Sequence, residues 1–211
     1  MKKMKIWAIA MIAVLTTMGV KAQSLEVGAD VVSSYVWRGT KAAGASIQPG
    51  VTFSTGGFSL GAWGSAAIDN GLDEMDLFAS YAFDFGLSVG LTDYYYPGVK
   101  YFDGTSHGVE LNLGYGIKDL SLAGNYMLNQ GAGTAGGDMY FELGYAFKSF
   151  SIFAGAGNGW HTPDGSFSLV NVGLSTSKDL KITDSFTLPL SGSVILNPKT
   201  QQFFIVAGIT L

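Results

Sequence analysis

Residues 25–38 read LEVGADVVSSYVWR, and this stretch shows the pattern that decides the fold. Apolar side chains recur at every second position on one face, while small, polar and charged side chains share the other face. One face carries Leu25, Val27, Ala29, Val31, Tyr35 and Trp37, and the other carries Glu26, Gly28, Asp30, Ser34 and Arg38. Because successive side chains of a strand point to opposite sides, the stretch predicts one β-strand that is apolar on one side only.

The same two-residue alternation recurs along the rest of the chain, and no window after Gln23 shows sustained helical periodicity. The further alternating blocks are residues 47–54, 58–65, 75–83, 87–91, 109–115, 120–126, 139–147, 150–154, 167–175, 186–196 and 203–211. The sequence therefore predicts an all-β protein of about twelve strands. The adjacent Leu169 and Val170 predict a bulge in the tenth strand, and Pro189 predicts an interruption of the eleventh.

The connections between these blocks alternate in length. Short turns are expected at residues 55–57, 84–86, 118–119 and 148–149, and longer polar loops at 68–73, 97–107, 129–137 and 157–165. The connection at residues 177–185 is the exception, because it falls on the short-turn side but is long. An even number of strands with short turns at one end and long loops at the other is typical of bacterial outer-membrane barrels.

A soluble β-sandwich would show the same alternation with its polar face in water. Two features favour the inverse arrangement, in which the apolar face meets lipid. The polar faces are rich in Gly, Ser, Thr and Asn and have few lysines, and aromatic residues collect near both ends of the strands, as in membrane girdles. The sequence therefore predicts a transmembrane antiparallel up-and-down β-barrel in the bacterial outer membrane, in contact with outer-membrane lipid.

The amino-terminal residues carry the features of a secretory signal. Lysines precede an apolar run from Ile6 to Leu15, and Val20 and Ala22 suit a cleavage site. We therefore expect residues 1–22 to be removed and residues 23–211 to form the barrel. The signal contains four of the 12 basic residues, which leaves eight against 16 acidic ones. A net charge near −8 argues against a nucleic-acid partner. The sequence contains no cysteine, which excludes disulfides and thiolate sites.

Several short motifs suggest a family. These are Tyr35-Val36-Trp37-Arg38-Gly39, Gly61-Ala62-Trp63-Gly64-Ser65, the acidic entry around Asp73, and Tyr94-Tyr95-Tyr96-Pro97 with the later Glu110. Over the first half of the mature chain, their order resembles the TorF-type porin family. The resemblance implies an outer-membrane barrel and a porin, and it implies no particular solute.

The polar faces of the predicted strands carry the candidate lumen residues. Arg38 is the only arginine in the sequence, and strand parity places it on the same face as Glu26 and Asp30; other polar faces carry Glu74, Asp76, Glu110 and Glu142. An arginine among carboxylates either braces a small barrel or forms a constriction that selects solutes by charge. Trp63 is also expected to point inward, where it either fills space or offers a stacking surface.

The sequence offers little chemistry for catalysis. His107 and His161 both fall in predicted long loops, no Gly-x-Ser-x-Gly motif occurs, and Asp69 to Asp73 lacks the spacing of a calcium loop. We therefore expect no enzymatic activity, metal or cofactor. The predicted function is a passive pore for small solutes with an acidic lumen. The alternative is a closed structural or interaction barrel whose extracellular loops contact partners.

Overall fold

Twelve strands form a closed antiparallel barrel in the computed structural model, which describes residues 23–69, 71–184 and 186–211. The expected signal peptide, residues 1–22, lies outside the described residues. The wall strands are β1 (Ser24–Val32), β4 (Ser46–Thr55), β5 (Phe58–Ala67), β6 (Glu74–Ala82), β7 (Leu87–Tyr95), β8 (His107–Ile117), β9 (Leu120–Met127), β10 (Met139–Ala146), β11 (Ser151–Gly159), β12 (Gly165–Lys181), β13 (Thr187–Asn197) and β14 (Gln202–Thr210). The remaining strands, β2 (Tyr35–Trp37) and β3 (Thr40–Ala43), form a separate hairpin. The predicted all-β barrel of twelve wall strands is confirmed.

Each wall strand pairs with its neighbours in the chain, and β1 closes the barrel against β14. The predicted bulge in the tenth wall strand is confirmed, since the pairing between β11 and β12 skips Val170. The predicted interruption at Pro189 is wrong, because Pro189 lies within β13 and pairs with Asp179. The predicted long connection at residues 177–185 is also wrong. There β12 and β13 continue as a paired ribbon as far as Lys181 and Thr187.

The alternation of the sequence separates the two faces of the wall. Outward positions such as Leu60, Leu113 and Leu143 are exposed, whereas the inward residues Ser59 and Asn125 are buried inside the barrel. The outer surface is therefore apolar and the inner surface polar. No helix in the described ranges is long and apolar enough to cross a membrane.

The two ends of the barrel differ, as the sequence predicts. Tight turns join β4 to β5, β6 to β7, β8 to β9 and β10 to β11 at one end, the short-turn end. Longer segments join β5 to β6, β7 to β8, β9 to β10 and β11 to β12 at the opposite end, the long-loop end. The segment between β7 and β8 includes a short 3-10 helix, Gly104–Ser106, which the Asp103 carboxylate caps.

The first predicted strand departs from its prediction. Its alternation extends to Arg38, but β1 ends at Val32, the chain bends at Ser33 and Ser34, and residues 35–43 turn into the barrel as the β2–β3 hairpin. We call residues 35–43 the plug hairpin. It contacts inward-facing side chains of β6, β8, β10 and β13. It therefore lies across the lumen at the long-loop end, and Arg38 is not a wall residue.

Candidate functional site

The tip of the plug hairpin is a tight turn that presents Arg38 to the interior. Arg38 and Gly39 both have positive φ, 47° and 80°, as two-residue hairpin turns of the mirror-image type require. Gly39 packs so closely on the wall that an added Cβ would lie 1.9 Å from the carbonyl oxygen of Val170. Asn197 also donates a hydrogen bond to the Gly39 carbonyl oxygen, at 3.0 Å. The turn is therefore seated against β12 and β13, and a side chain at position 39 would unseat it.

Arg38 forms a buried two-point ion pair with Glu110 of β8. Its Nη1 and Nη2 donate to the two carboxylate oxygens at 2.7 and 2.9 Å, and the two residues are 5% and 1% exposed. The hydroxyl of Tyr94 and Nδ2 of Asn112 donate to the same carboxylate at 3.0 and 2.7 Å. Charge-assisted bonds of this fork geometry are the strongest that side chains make, so this pair is the principal attachment of the plug hairpin.

Aromatic rings surround the guanidinium. Its central carbon lies 4.4 Å from the ring centroid of Trp37 and 4.5 Å from that of Tyr140, which are cation–π distances. Trp37 packs edge-on against Tyr94 and Trp160, with ring centroids 5.7 and 5.2 Å away. The Arg38 guanidinium is thus enclosed by aromatic rings, which exclude water and strengthen its ion pair with Glu110.

His161 lies against the same arginine. Its Nε2 is 3.5 Å from Nη1 of Arg38, and its side chain is buried beside Trp37 and Tyr140. Burial, and next the charge of Arg38, lower the pKa of His161 to about 3. The imidazole is therefore neutral at neutral pH. His161 lies in the long loop between β11 and β12, as the sequence predicts, and its side chain is buried there.

A second attachment joins the base of the plug hairpin to β6. The hydroxyl of Tyr35 donates to Oε2 of Glu74 at 2.9 Å, and the Tyr35 ring packs edge-on against Trp63 at 5.6 Å. Asp76 lies two residues after Glu74 on the same inner face and beside Trp63 in the register. It is fully buried, and its carboxylate oxygens have no hydrogen-bond partner among the described residues. Trp63 points inward, as the sequence predicts, and it packs against the plug hairpin.

The other predicted lumen residues occupy two levels of the barrel. Glu142 accepts hydrogen bonds from the Tyr140 hydroxyl and from Nδ2 of Asn171, and it lines a cavity of about 50 Å³ beneath the tip of the plug hairpin. Asp30 accepts a hydrogen bond from Thr210 at 2.6 Å. Glu26 lies on the inner face further towards the short-turn end and is exposed. Arg38 therefore lies inside the barrel, as do Glu26 and Asp30, but it belongs to the plug hairpin and not to the inner face of β1.

Six of the eight residues predicted for the lumen thus belong to the plug hairpin or surround it. These are Arg38, Trp63, Glu74, Asp76, Glu110 and Glu142. The prediction missed Tyr35, Tyr94, Tyr140, His161 and Asn171, which complete the hydrogen-bonded and aromatic surroundings. Strand parity could have found Tyr94 and Tyr140, since Tyr94 shares the inner face of β7 with Gly90 and Thr92, and Tyr140 shares that of β10 with Glu142. No signal in the sequence points to His161. Within the described ranges, no group of three or more His, Asp or Glu side chains is arranged to hold a metal ion.

His107, the other histidine, belongs to the outer face. Its Nδ1 lies 2.9 Å from an Asp93 carboxylate oxygen, and its ring stacks on Tyr95. Both partners have outward parity on β7. The side chain therefore takes no part in the surroundings of the plug hairpin.

Comparison with known proteins gives one family and two solved structures of one porin. The model of a family described as "Bacterial protein of unknown function (Gcw_chp)" matches residues 19–183, whereas no curated protein matches the chain. Two solved structures of mutant Rhodopseudomonas blastica porin are similar to it, with 16% and 17% sequence identity and a TM-score of 0.44 in both cases. Each alignment covers 85% of this chain and 61% of the porin, so the chain spans less than two thirds of the length of these porins. The TorF-type resemblance stays a prediction.

Proposed function

We propose that this chain, which belongs to the Gcw_chp family of bacterial proteins of unknown function, is an outer-membrane barrel that passes small solutes through an acidic lumen. The observation that carries the proposal is the position of the plug hairpin. The hairpin lies across the lumen and is held there by one ion pair and a few hydrogen bonds. It is therefore a constriction that can be displaced, whereas a lumen filled with packed side chains could not be cleared in this way.

The outer surface supports a place in a bilayer. Outward residues such as Leu60, Leu113 and Leu143 are exposed on several strands around the wall, and water is an unfavourable solvent for so large an apolar surface. Around most of the barrel the backbone also pairs between strands, as hydrocarbon surroundings require. We infer that lipid contacts this surface.

The part of the lumen between the plug hairpin and the short-turn end supports a path for solutes. Below the plug hairpin, the inner face carries small residues such as Gly28, Gly50 and Thr52 together with Glu26. Small side chains on this part of the wall are what a solute path between the short-turn end and the plug hairpin requires. With Glu26 and Asp30 lining it, we expect a negative potential that favours cations and neutral solutes over anions.

The closed structural barrel is the second candidate, and it rests on a different observation. The cavity beneath the tip of the plug hairpin is only about 50 Å³, which is room for one or two water molecules. At the level of this cavity, little room is left beside the plug hairpin. If the plug hairpin never moves, solutes do not pass through the barrel. Its function would then depend on the extracellular loops, which would contact partners.

Conductance in a planar bilayer separates the two candidates. We would compare the natural chain with a variant that lacks residues 35–43 and carries Ser34→Asn. In that variant an Asn-Gly turn, formed with Gly44, closes the β1–β4 hairpin in a two-residue connection that suits such turns. A channel predicts stepwise openings for the natural chain and larger, more persistent ones for the variant. Silence of both folded proteins at all voltages would support the closed barrel.

A further inference from the structure

The plug hairpin continues the strand pairing between β1 and β4. Val32 pairs with Ser46 at the end of that pairing, and counting three residues further on each strand reaches Tyr35 and Ala43, which also pair. Between these two pairs the chain bends at Ser33 and Ser34 on one strand and at Gly44 and Ala45 on the other. The plug hairpin is therefore the tip of the β1–β4 hairpin, folded inward at a two-sided bend.

The wall has an open edge where this tip would lie if it were straight. On the β1 side, β14 pairs only from Gly208 to Thr210 within the described residues, and a hydrogen bond from Ser33 N to Ala207 O extends the contact by one step. The part of β14 from residues 202–206 pairs with β13 alone. There Phe203 and Ile205 are 59% and 71% exposed, against 41% and 38% for the residues opposite them on β13, Leu196 and Val194.

Among the described residues, the open edge also leaves main-chain groups of β14 without strand pairing on the β1 side. Ala29 and Leu211 exchange both hydrogen bonds across the seam, so every second residue of β14 directs its N–H and C=O towards β1. Phe203 and Ile205 share this parity. Unpaired strand edges are unfavourable, above all away from water, so a strand that paired with residues 202–206 would stabilise the wall.

The register of the seam fits β2 to this edge. Val31 pairs with Ile209, and the same register places Tyr35 opposite Ile205 and Trp37 opposite Phe203. Both aromatic side chains would then face outward beside those apolar residues, as the alternation of the sequence predicts, while Arg38 would face inward near Gln202. In the present structure β2 already lies beside β14.

We propose that the plug hairpin is a gate that swings as one unit between the lumen and the wall, where β2 pairs with the open edge of β14. This inference rests on the proposed channel function and gives its mechanism of opening. The swing leaves the pairs between β2 and β3 intact, since only the bends at residues 33–34 and 44–45 change. The swing breaks the contacts of the plug hairpin inside the lumen and forms new contacts with β14.

The closed position keeps the ion pair of Arg38 with Glu110, the bond of Tyr35 to Glu74 and the bond of Asn197 to Gly39. The open position gains ladder hydrogen bonds to β14 and covers Phe203 and Ile205. Because each position satisfies groups that the other leaves unpaired, two discrete states are expected rather than a continuum. Removing the charge of Glu110 weakens the closed state alone, so it should shift the population towards the open one.

A pair of engineered thiols tests the open position, since the chain has no cysteine of its own. With Trp37→Cys and Phe203→Cys the thiols face each other across hydrogen-bonded strands in the open state, within the Cα separation that a disulfide needs. In the closed state position 37 lies inside the barrel against Tyr94 and Trp160, whereas position 203 faces outward. The matched control combines Trp37→Cys with Leu196→Cys, one strand further around the wall.

We expect oxidation of the folded protein in vesicles to cross-link the 37/203 pair several-fold more than the control, and Glu110→Gln to raise that yield further. A cross-linked 37/203 barrel that conducts more than its reduced form supports both the gate and the channel. Cross-linking without any conductance supports the gate and overturns the channel. A yield no higher than the control, with and without Glu110→Gln, overturns the gate even if the protein conducts.

A second thiol pair, Tyr35→Cys with Ile205→Cys, repeats the test without Trp37→Cys and so separates a folding defect from a missing open state. Heat-modifiable migration on a gel identifies the folded barrel in each variant. If both pairs fold and neither cross-links above its control, β2 does not reach β14.

Discussion

Arg38 and Glu110 are 72 positions apart in the sequence, and they meet inside the barrel in a two-point ion pair from which water is nearly excluded. The arginine comes from the tip of a hairpin and the glutamate from the wall. Their contact therefore makes the position of the plug hairpin depend on the charge of a single wall residue.

The buried pair should show strong coupling in unfolding experiments. Glu110→Gln leaves the guanidinium buried without its carboxylate and should lower the free energy of unfolding by about 3–5 kcal/mol. The double change Arg38→Gln with Glu110→Gln should cost clearly less than the sum of the two single changes. Urea unfolding of the barrel in vesicles measures all four proteins. Additive losses would contradict the pairing.

The two faces of β4 should respond oppositely to a charge. Val51 faces outward and Thr52 inward at neighbouring positions. Val51→Arg should lower the free energy of unfolding by about 2–4 kcal/mol if the residue lies near the middle of a bilayer. Thr52→Arg should be tolerated, since Glu26 is opposite it in the register. Similar losses at both positions would argue against lipid on the outer face.

The acidic lumen should set the ion preference of the pore. In the variant without residues 35–43, Glu26→Gln with Asp30→Asn should move the reversal potential in a KCl gradient towards anions. The change should be larger near 0.1 M salt than near 1 M, because the screening length falls from about 10 Å to about 3 Å.

Asp84→Asn with Asp119→Asn provides the control for charge, since both residues belong to turns at the short-turn end. These turns lie outside the lumen, so the control should leave the reversal potential nearly unchanged. A natural pore that prefers anions would contradict the acidic lumen.

His161 should make the barrel less stable in acid. Its folded-state pKa, about 3, lies below the ordinary value of 6.5, so between these pH values the unfolded chain binds a proton that the folded chain does not. Stability contributed by the neutral imidazole is present above pH 6.5 and is lost progressively as the pH falls towards 3. The difference between the natural chain and His161→Gln, measured by urea unfolding at several pH values, isolates this contribution. A difference that does not change with pH would show that His161 titrates normally.

The wall of the barrel could be predicted from the sequence because the residue pattern that determines each strand is local to that strand. Alternation in residues such as Leu111, Asn112 and Leu113 assigns a lipid-type face and a polar face without reference to any other strand, and short turns fix which strands are neighbours. The inward direction of Glu74, Asp76, Glu110, Glu142 and Trp63 follows from parity for the same reason.

What only the tertiary structure decided is the path of residues 33–45. Alternation from Leu25 to Arg38 fits a strand that continues along β14, and nothing local distinguishes that path from the plug hairpin. The choice depends on Glu74, Glu110 and Asn197, which are remote in the sequence and become neighbours only when the barrel closes. Local alternation determines which side of a strand is apolar. Whether the segment joins the wall or crosses the lumen is determined by where its charges find partners.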